Sequence, residues 1–443
     1  MFKFAFDLED EDIDFEINSV IKDTANIQIQ SKSSSGEHGE YLERPAISDG
    51  EFSELSMEHL LGALPTQLSF SPLEIDVSLS SSAAGARQTH HIARRDLFDA
   101  RFQVMSEDKS DPGVDVEADD KSRTDTNDSI DAPSDPRLEF LNTPSDLVPG
   151  VYEGGLKTWE CSLDLVNYLH SSLKDEDIAS KRILELGCGT GVPSLYLLQR
   201  IFSRPPPDPT SPKTTIHFQD YNTSVLELVT FPNVLLSWYM SPASEPFLSS
   251  QPASSDSETD DVVEYPTKDP ALAGDLPITP SLKSAFERSL ETFNLEIKFL
   301  GGSWKSFRNA MVNSIHDSET QVEHTENTSI KGVLGAYDIL LTSETIYRTE
   351  SVPELLDTMW VATHSSTSVP SQPITDQLAK MAIDEKQKPL ILVAAKVFYF
   401  GVGGGIDEFV EATKQWRSDG TTEVTSVWQQ NIGVGRRIVR VFW

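Results

Sequence analysis

The residues best placed to do chemistry lie in RILELGCGTG, 182–191, where an apolar strand run ends in the acid Glu185 and passes into glycines at 187, 189 and 191. Glycines at alternate positions let a backbone approach a ligand closely at the point where a strand hands over to a helix. VPSLYLLQ, 192–199, reads as that helix. The spacing departs from the dinucleotide fingerprint, because G-x-G-x-x-G needs glycine at Val192 in one register or at Ser194 in the other. Cofactor binding and a purely structural strand-to-helix turn both fit the glycines alone. Cys188 is read as a small residue filling a tight turn rather than a thiol nucleophile, since no histidine follows nearby.

Other candidates fall at the carboxyl ends of further strand runs: Asp220 and Asn222 after TIHFQ, Gly302 and Trp304 after EIKFL, and Ser343, Glu344, Thr345 and Tyr347 after DILLT. Ligands of open α/β sheets bind at those ends, where the strand order reverses. An acid closing the second strand accepts both hydroxyls of a ribose, which makes Asp220 a ribose candidate; a solvated loop acid is the alternative.

Positioning these groups requires alternating strands and helices. Strands are expected at 182–187, 215–220, 296–300, 338–343 and 390–396, and their near-continuous apolar character points to a parallel sheet covered on both faces. TWECSLDLVNYLH, 158–170, spaces Trp159, Leu163 and Val166 as an amphipathic helix, in which Trp159 by itself is most simply core. EVTSVWQQ and RRIVRVFW around NIGVGR read as a closing hairpin. A doubly wound α/β domain with a mostly parallel sheet follows, spanning 145–443. The proline-rich 203–213, the acidic Ser/Pro-rich 241–280 and the polar 366–388 are expected as surface insertions.

Residues 1–144 are expected to be acidic and mostly disordered. The first 150 residues hold 32 Asp and Glu against 12 Lys and Arg, a large share of the whole chain's net charge of −34. Phe2, Phe4 and Phe6 alternate at the start, as a docking strand or as a patch in a loose tail. Two cysteines are too few for a disulfide framework, and apolar runs fall short of a membrane span. The expectation is a monomer of the cytoplasm and nucleus with no membrane or direct nucleic-acid contact, whose acidity favours a basic partner. The nine histidines show no metal-ligand spacing, and no metal is expected.

Taken together, LVPGVYEGGLKTWECSLDL, RILELGCGTG, FQDYN, YDILLTSETIY and AAKVFYFGVGGG resemble the eukaryotic histidine protein methyltransferases, which modify one histidine of a large-subunit ribosomal protein. The resemblance covers about 145–443. It implies a seven-stranded, Rossmann-like class I methyltransferase fold and S-adenosylmethionine as cofactor. Gly187, Gly189 and Gly191 would line the methionine part, Asp220 would hold the ribose, and Asn222, Trp304 and the Ser343–Glu344–Thr345 turn would frame the adenine and the sulfonium, with Trp159 closing the site and Glu185 and Cys188 also counted among the cofactor-binding residues. Lys396, Phe398, Tyr399, Gly403 and Gly404 would bound the acceptor pocket, the glycines leaving room for an acceptor backbone.

Methyl transfer from a sulfonium to a ring nitrogen needs a neutral imidazole held in line, so much of the rate can come from positioning. Glu344 and Tyr347 are the candidates to orient the ring or receive its proton. Two rivals remain at this point: a lysine methyltransferase of the same fold, and a non-catalytic acidic escort for a basic ribosomal protein.

Overall fold

Successive residues of the apolar runs divide between two cores, which is why those runs read as continuous: Ile339 and Leu341 pack into one cluster, while Leu340 packs into the other. The computed structural model describes residues 50–78, 87–108, 147–148, 152–251, 263–321, 334–364, 388–399, 403–416 and 422–443. In chain order its strands are β1 (Ser53–Leu55), β2 (Gln67–Ser78), β3 (Arg87–Arg95), β4 (Leu147–Val148), β5 (Tyr152–Glu153), β6 (Arg182–Leu186), β7 (Thr214–Asp220), β8 (Gly274–Pro277), β9 (Leu295–Gly301), β10 (Ile339–Ser343), β11 (Leu390–Lys396), β12 (Glu423–Gln430) and β13 (Arg436–Phe442).

The main sheet runs β1-β9-β7-β6-β10-β11-β13-β12. From β9 to β11 every pairing is parallel, and β13 and β12 close the far edge as the expected antiparallel hairpin. The strand order reverses beside β6, which lies between β7 and β10, and this creates the crevice in which such sheets bind ligands. The sheet has eight strands rather than the expected seven. The extra one, β1, pairs antiparallel with β9 and comes from the segment expected to be unstructured.

That segment requires a second correction. Within 1–144, the described residues 50–78 and 87–108 belong to the folded body, so the boundary at 145 does not hold for them. β2 and β3 form an antiparallel hairpin, and β8, from inside the 241–280 insertion, adds to β2 as a third strand. This part of the insertion is therefore built structure; only 252–262 of it lie outside the described residues. The first six residues, most of 109–151 and residues 366–387 of the loop expected at 366–388 also lie outside them.

Arg95 shows how the module is fastened. Pro232, in the first turn of the helix Phe231–Tyr239, has no N–H for the Leu228 carbonyl four residues back, and a π-helical turn, Leu226–Thr230, precedes it. The Arg95 guanidinium, 1% exposed, donates to that carbonyl at 2.7 Å and to Asp99 and Gln103 at 2.7 and 2.8 Å. Removing one partner of so buried a charge costs about 3–5 kcal/mol.

Candidate active site

The glycine turn joins β6 to the helix Val192–Phe202, and Gly187, Gly189 and Gly191 all take left-handed φ values of +60, +51 and +74°. Gly189 is required by a close approach as well, because a Cβ there would sit 3.2 Å from the Cα and the carbonyl oxygen of Gly155. The YEGG segment thus lies directly over the turn, and Asn222 holds it by donating from Nδ2 to the Gly154 carbonyl at 2.9 Å. Gly187 faces Thr345 in the same way, with Thr345 Cγ2 2.5 Å from where its Cβ would be.

Asp220 closes β7 beside this turn and is 5% exposed. Its Oδ2 accepts the Gly189 N–H at 2.8 Å and its Oδ1 the Asn222 N–H at 3.0 Å. The carboxylate therefore braces the glycine turn from the end of β7. Glu185 lies inside the strand, with Oε2 accepting the Ser194 N–H at 2.9 Å and Oε1 buried without a hydrogen bond in the structure. Burial pushes its carboxyl up to about 8. Burial also raises the Cys188 thiol far above its usual range, so the residue fills the turn as an inert thiol.

A second group forms where β10 and β11 end. Glu344 leaves β10 with φ +57°, an uncommon conformation for a residue with a side chain, and its N–H donates to Ala394 O at 2.9 Å. Tyr399 donates its phenolic proton to Glu344 Oε2 and accepts the Lys396 N–H at 3.4 Å. Glu344 Oε1 is buried and accepts no hydrogen bond among the described residues. Burial raises the Glu344 carboxyl above the usual range, against the pull of Lys396, the Cys161 thiol and Tyr399. Burial and the adjacent Glu344 likewise raise the Tyr399 phenol. Tyr347, the other candidate to orient the ring or receive its proton, meets the ring of Tyr399 edge to face, centroids 6.3 Å apart.

Trp159 caps the helix Glu160–Ser172, and the Lys396 ammonium lies over its indole, 5.2 Å from the ring centroid and 3.7 Å from Glu160 Oε2. Trp159 and Lys396 therefore stand together beside Glu344. Trp304 starts the helix Trp304–Gln321 after β9, two strands from the glycine turn, and packs against the second core cluster. Ser343 ends β10, and Phe398 stands 43% exposed at the rim. Among the described residues, Gly403 has open space where a Cβ would point, but Gly404 does not: a Cβ there would run into the Tyr347 carbonyl oxygen. The room expected at Gly404 for an acceptor backbone is filled by the protein's own 346–347 turn. Phe400, Gly401 and Val402 lie outside the described residues.

Several contributors escaped the sequence reading. Asn233 links the N-terminal module to the turn, accepting the Arg95 N–H at 2.8 Å and donating to Thr190 O at 3.1 Å. Arg94 reaches Thr158, whose hydroxyl oxygen is 3.0 Å from that of Thr190. The paired arginines of IARRD were the available signal, within an N-terminal region whose overall acidity masks them.

No protein-family model matches the chain. It is 30% identical over 391 residues to Histidine protein methyltransferase 1 of Schizosaccharomyces pombe, covering 88% of this chain and 84% of that protein. To Histidine protein methyltransferase 1 of Saccharomyces cerevisiae it is 28% identical, over 72% of this chain and 67% of that one. Among solved structures, the O-methyltransferase from Bacillus cereus in complex with SAH aligns over 65% of this chain and 84% of its own, at 8% identity and a TM-score of 0.28. A likeness that low defines no fold, and the architecture rests on the strand order itself.

Proposed function

The chain belongs to the histidine protein methyltransferase family, and from that premise we propose that it transfers a methyl group from S-adenosylmethionine to one histidine of a basic large-subunit ribosomal protein. The observation that carries this reading is the convergence of two groups at one crevice: the braced glycine turn of β6 and the Glu344–Tyr399 pair after β10, on neighbouring parallel strands.

The residues present suit the cofactor. The left-handed glycines allow a ligand to approach the backbone, Asp220 places a carboxylate at the end of β7 beside the turn, where open sheets meet a ribose, and Trp159 offers an indole at the crevice. S-adenosylmethionine supplies an electrophilic methyl on a sulfonium. Gly187, Gly189 and Gly191 would hold its methionine part, Asp220 its ribose, and Trp304 and Ser343 its adenine end.

The protein's own task is to present a neutral imidazole. Tyr399 occupies Glu344 Oε2 and leaves Oε1 to accept the ring N–H, which fixes the tautomer and points the other nitrogen's lone pair at the methyl. After transfer the ring N–H proton passes to Glu344, whose raised pKa suits that role. Phe398, Lys396 and Gly403 bound the approach, and the chain's net charge of −34 favours a basic substrate.

Mass spectrometry of large-subunit ribosomal proteins from cells lacking this chain tests the substrate. Loss of methylhistidine from one protein is expected; unchanged methylation throughout contradicts the reading.

A further inference from the structure

Arg94 stands at the end of β3, outside the main sheet, yet its guanidinium reaches the glycine turn. Nη1 donates to Thr158 Oγ1 at 3.0 Å, and Thr158 Oγ1 lies 3.0 Å from Thr190 Oγ1, the side chain between Gly189 and Gly191. The side chain is half-buried, and among the described residues this is the one hydrogen bond it makes, although a guanidinium carries five N–H donors. Its neighbour Arg95, by contrast, is satisfied by Asp99, Gln103 and the Leu228 carbonyl. Burial weakens the hold of Arg94 on its proton, and the Asp96 charge offsets this only in part.

A partly desolvated guanidinium with unused donors matches a planar anion, which it binds through two parallel hydrogen bonds. The helix Val192–Phe202 begins at the same place, and its N-terminus adds favourable potential for negative charge. Resting on the cofactor reading above, we propose that Arg94 is a positioning residue that anchors the α-carboxylate of S-adenosylmethionine, the one anionic group of that molecule, at the methionine end of the site. The N-terminal module would then be part of the cofactor site, with β3 delivering the charge that the glycine turn lacks.

Calorimetry on the full chain tests this with two ligands, S-adenosylmethionine and its decarboxylated analogue. The wild type should bind the intact cofactor at least about tenfold more tightly than the analogue. Arg94→Gln should bring the two affinities close to equal by weakening the intact cofactor alone, and Arg94→Lys should fall between. Thr158→Val, which removes the hydrogen bond but keeps the guanidinium, should leave the preference for the carboxylate in place. Equal losses for both ligands in Arg94→Gln, or a preference for the carboxylate that survives in it, would overturn the proposal. Thr158→Val abolishing the preference would do the same, by making Arg94 a fastener of the loop. Wild-type protein that binds neither ligand overturns the cofactor assignment itself, and the role of Arg94 with it.

Discussion

Tyr399, from the segment after β11, donates its phenolic hydrogen bond to Glu344, at the end of β10, and leaves the carboxylate's other oxygen buried and without a hydrogen bond among the described residues. A half-satisfied buried acid is costly unless something completes it. In the proposed reaction the substrate's ring N–H does so.

Replacing Glu344 by Gln should therefore leave cofactor affinity within about twofold while kcat falls at least roughly tenfold, about 1.4 kcal/mol of transition-state stabilisation. Tyr399→Phe should act through pH. The phenol holds the Glu344 carboxyl down, so its removal should move the ascending limb of the kcat/KM profile to higher pH. Stopped-flow or discontinuous assays across pH 5–9 would read both effects; an unshifted limb would separate Tyr399 from the acid.

Chain length provides a second test. A chain starting at residue 50 should fold and bind S-adenosylmethionine, because the described contacts to the turn begin within the module that follows. A chain starting at residue 141 should lose thermal stability and cofactor binding together. It lacks Arg95, which fastens the π-turn and, through Asn233, the Thr190 carbonyl. Full binding by the shorter chain would show the turn to be self-sufficient.

Glu185 sets a pH dependence of stability. Its folded-state carboxyl is raised to about 8 from 4.5, so between these values the folded state holds a proton that the unfolded state releases. That contribution is complete below about 4.5 and is lost as pH rises through about 8. Glu185→Gln should flatten the fall in melting temperature across this window in ligand-free protein. An identical slope in the variant would place the titration elsewhere.

The glycines after β11 separate packing from access. Gly404→Ala should lower the melting temperature by several degrees, since its methyl would meet the Tyr347 carbonyl. Gly403→Ala meets no atom and should cost only the strain of its φ of +86°, about 1–2 kcal/mol. Calorimetric scans of the two variants give the comparison, and a reversed order would contradict the packing described for the turn.

The parallel strands were legible because burial on both faces writes them as unbroken apolar runs: TIHFQD is buried throughout as β7. Glycines at 187, 189 and 191 and the acid at 220 were legible for the same reason, as local breaks at the ends of such runs. The N-terminal module was not. β2, QLSFSPLEIDVS, is only partly buried and carries Pro72 and two acids, and its partner β8 lies far along the chain in an acidic insertion. No local pattern reports a pairing so distant. Gly404 misled for a related reason, because a glycine run reads as open space until the 346–347 turn is seen to fill it. Tyr399 was legible only as a candidate wall of the acceptor pocket, because only the fold of the segment after β11 brings its phenol to Glu344.

The crevice between the glycine turn and Glu344 is the proposed site of histidine methylation. The most direct measurement incubates the purified full chain with S-adenosylmethionine labelled at the methyl group and unmethylated large-subunit ribosomal proteins, then identifies the labelled amino acid after hydrolysis. Label is expected in methylhistidine from one basic protein and should be abolished in Gly189→Arg, where a side chain would drive into Gly155. Label in methyllysine, or methylhistidine formed equally well by Gly189→Arg, would contradict it.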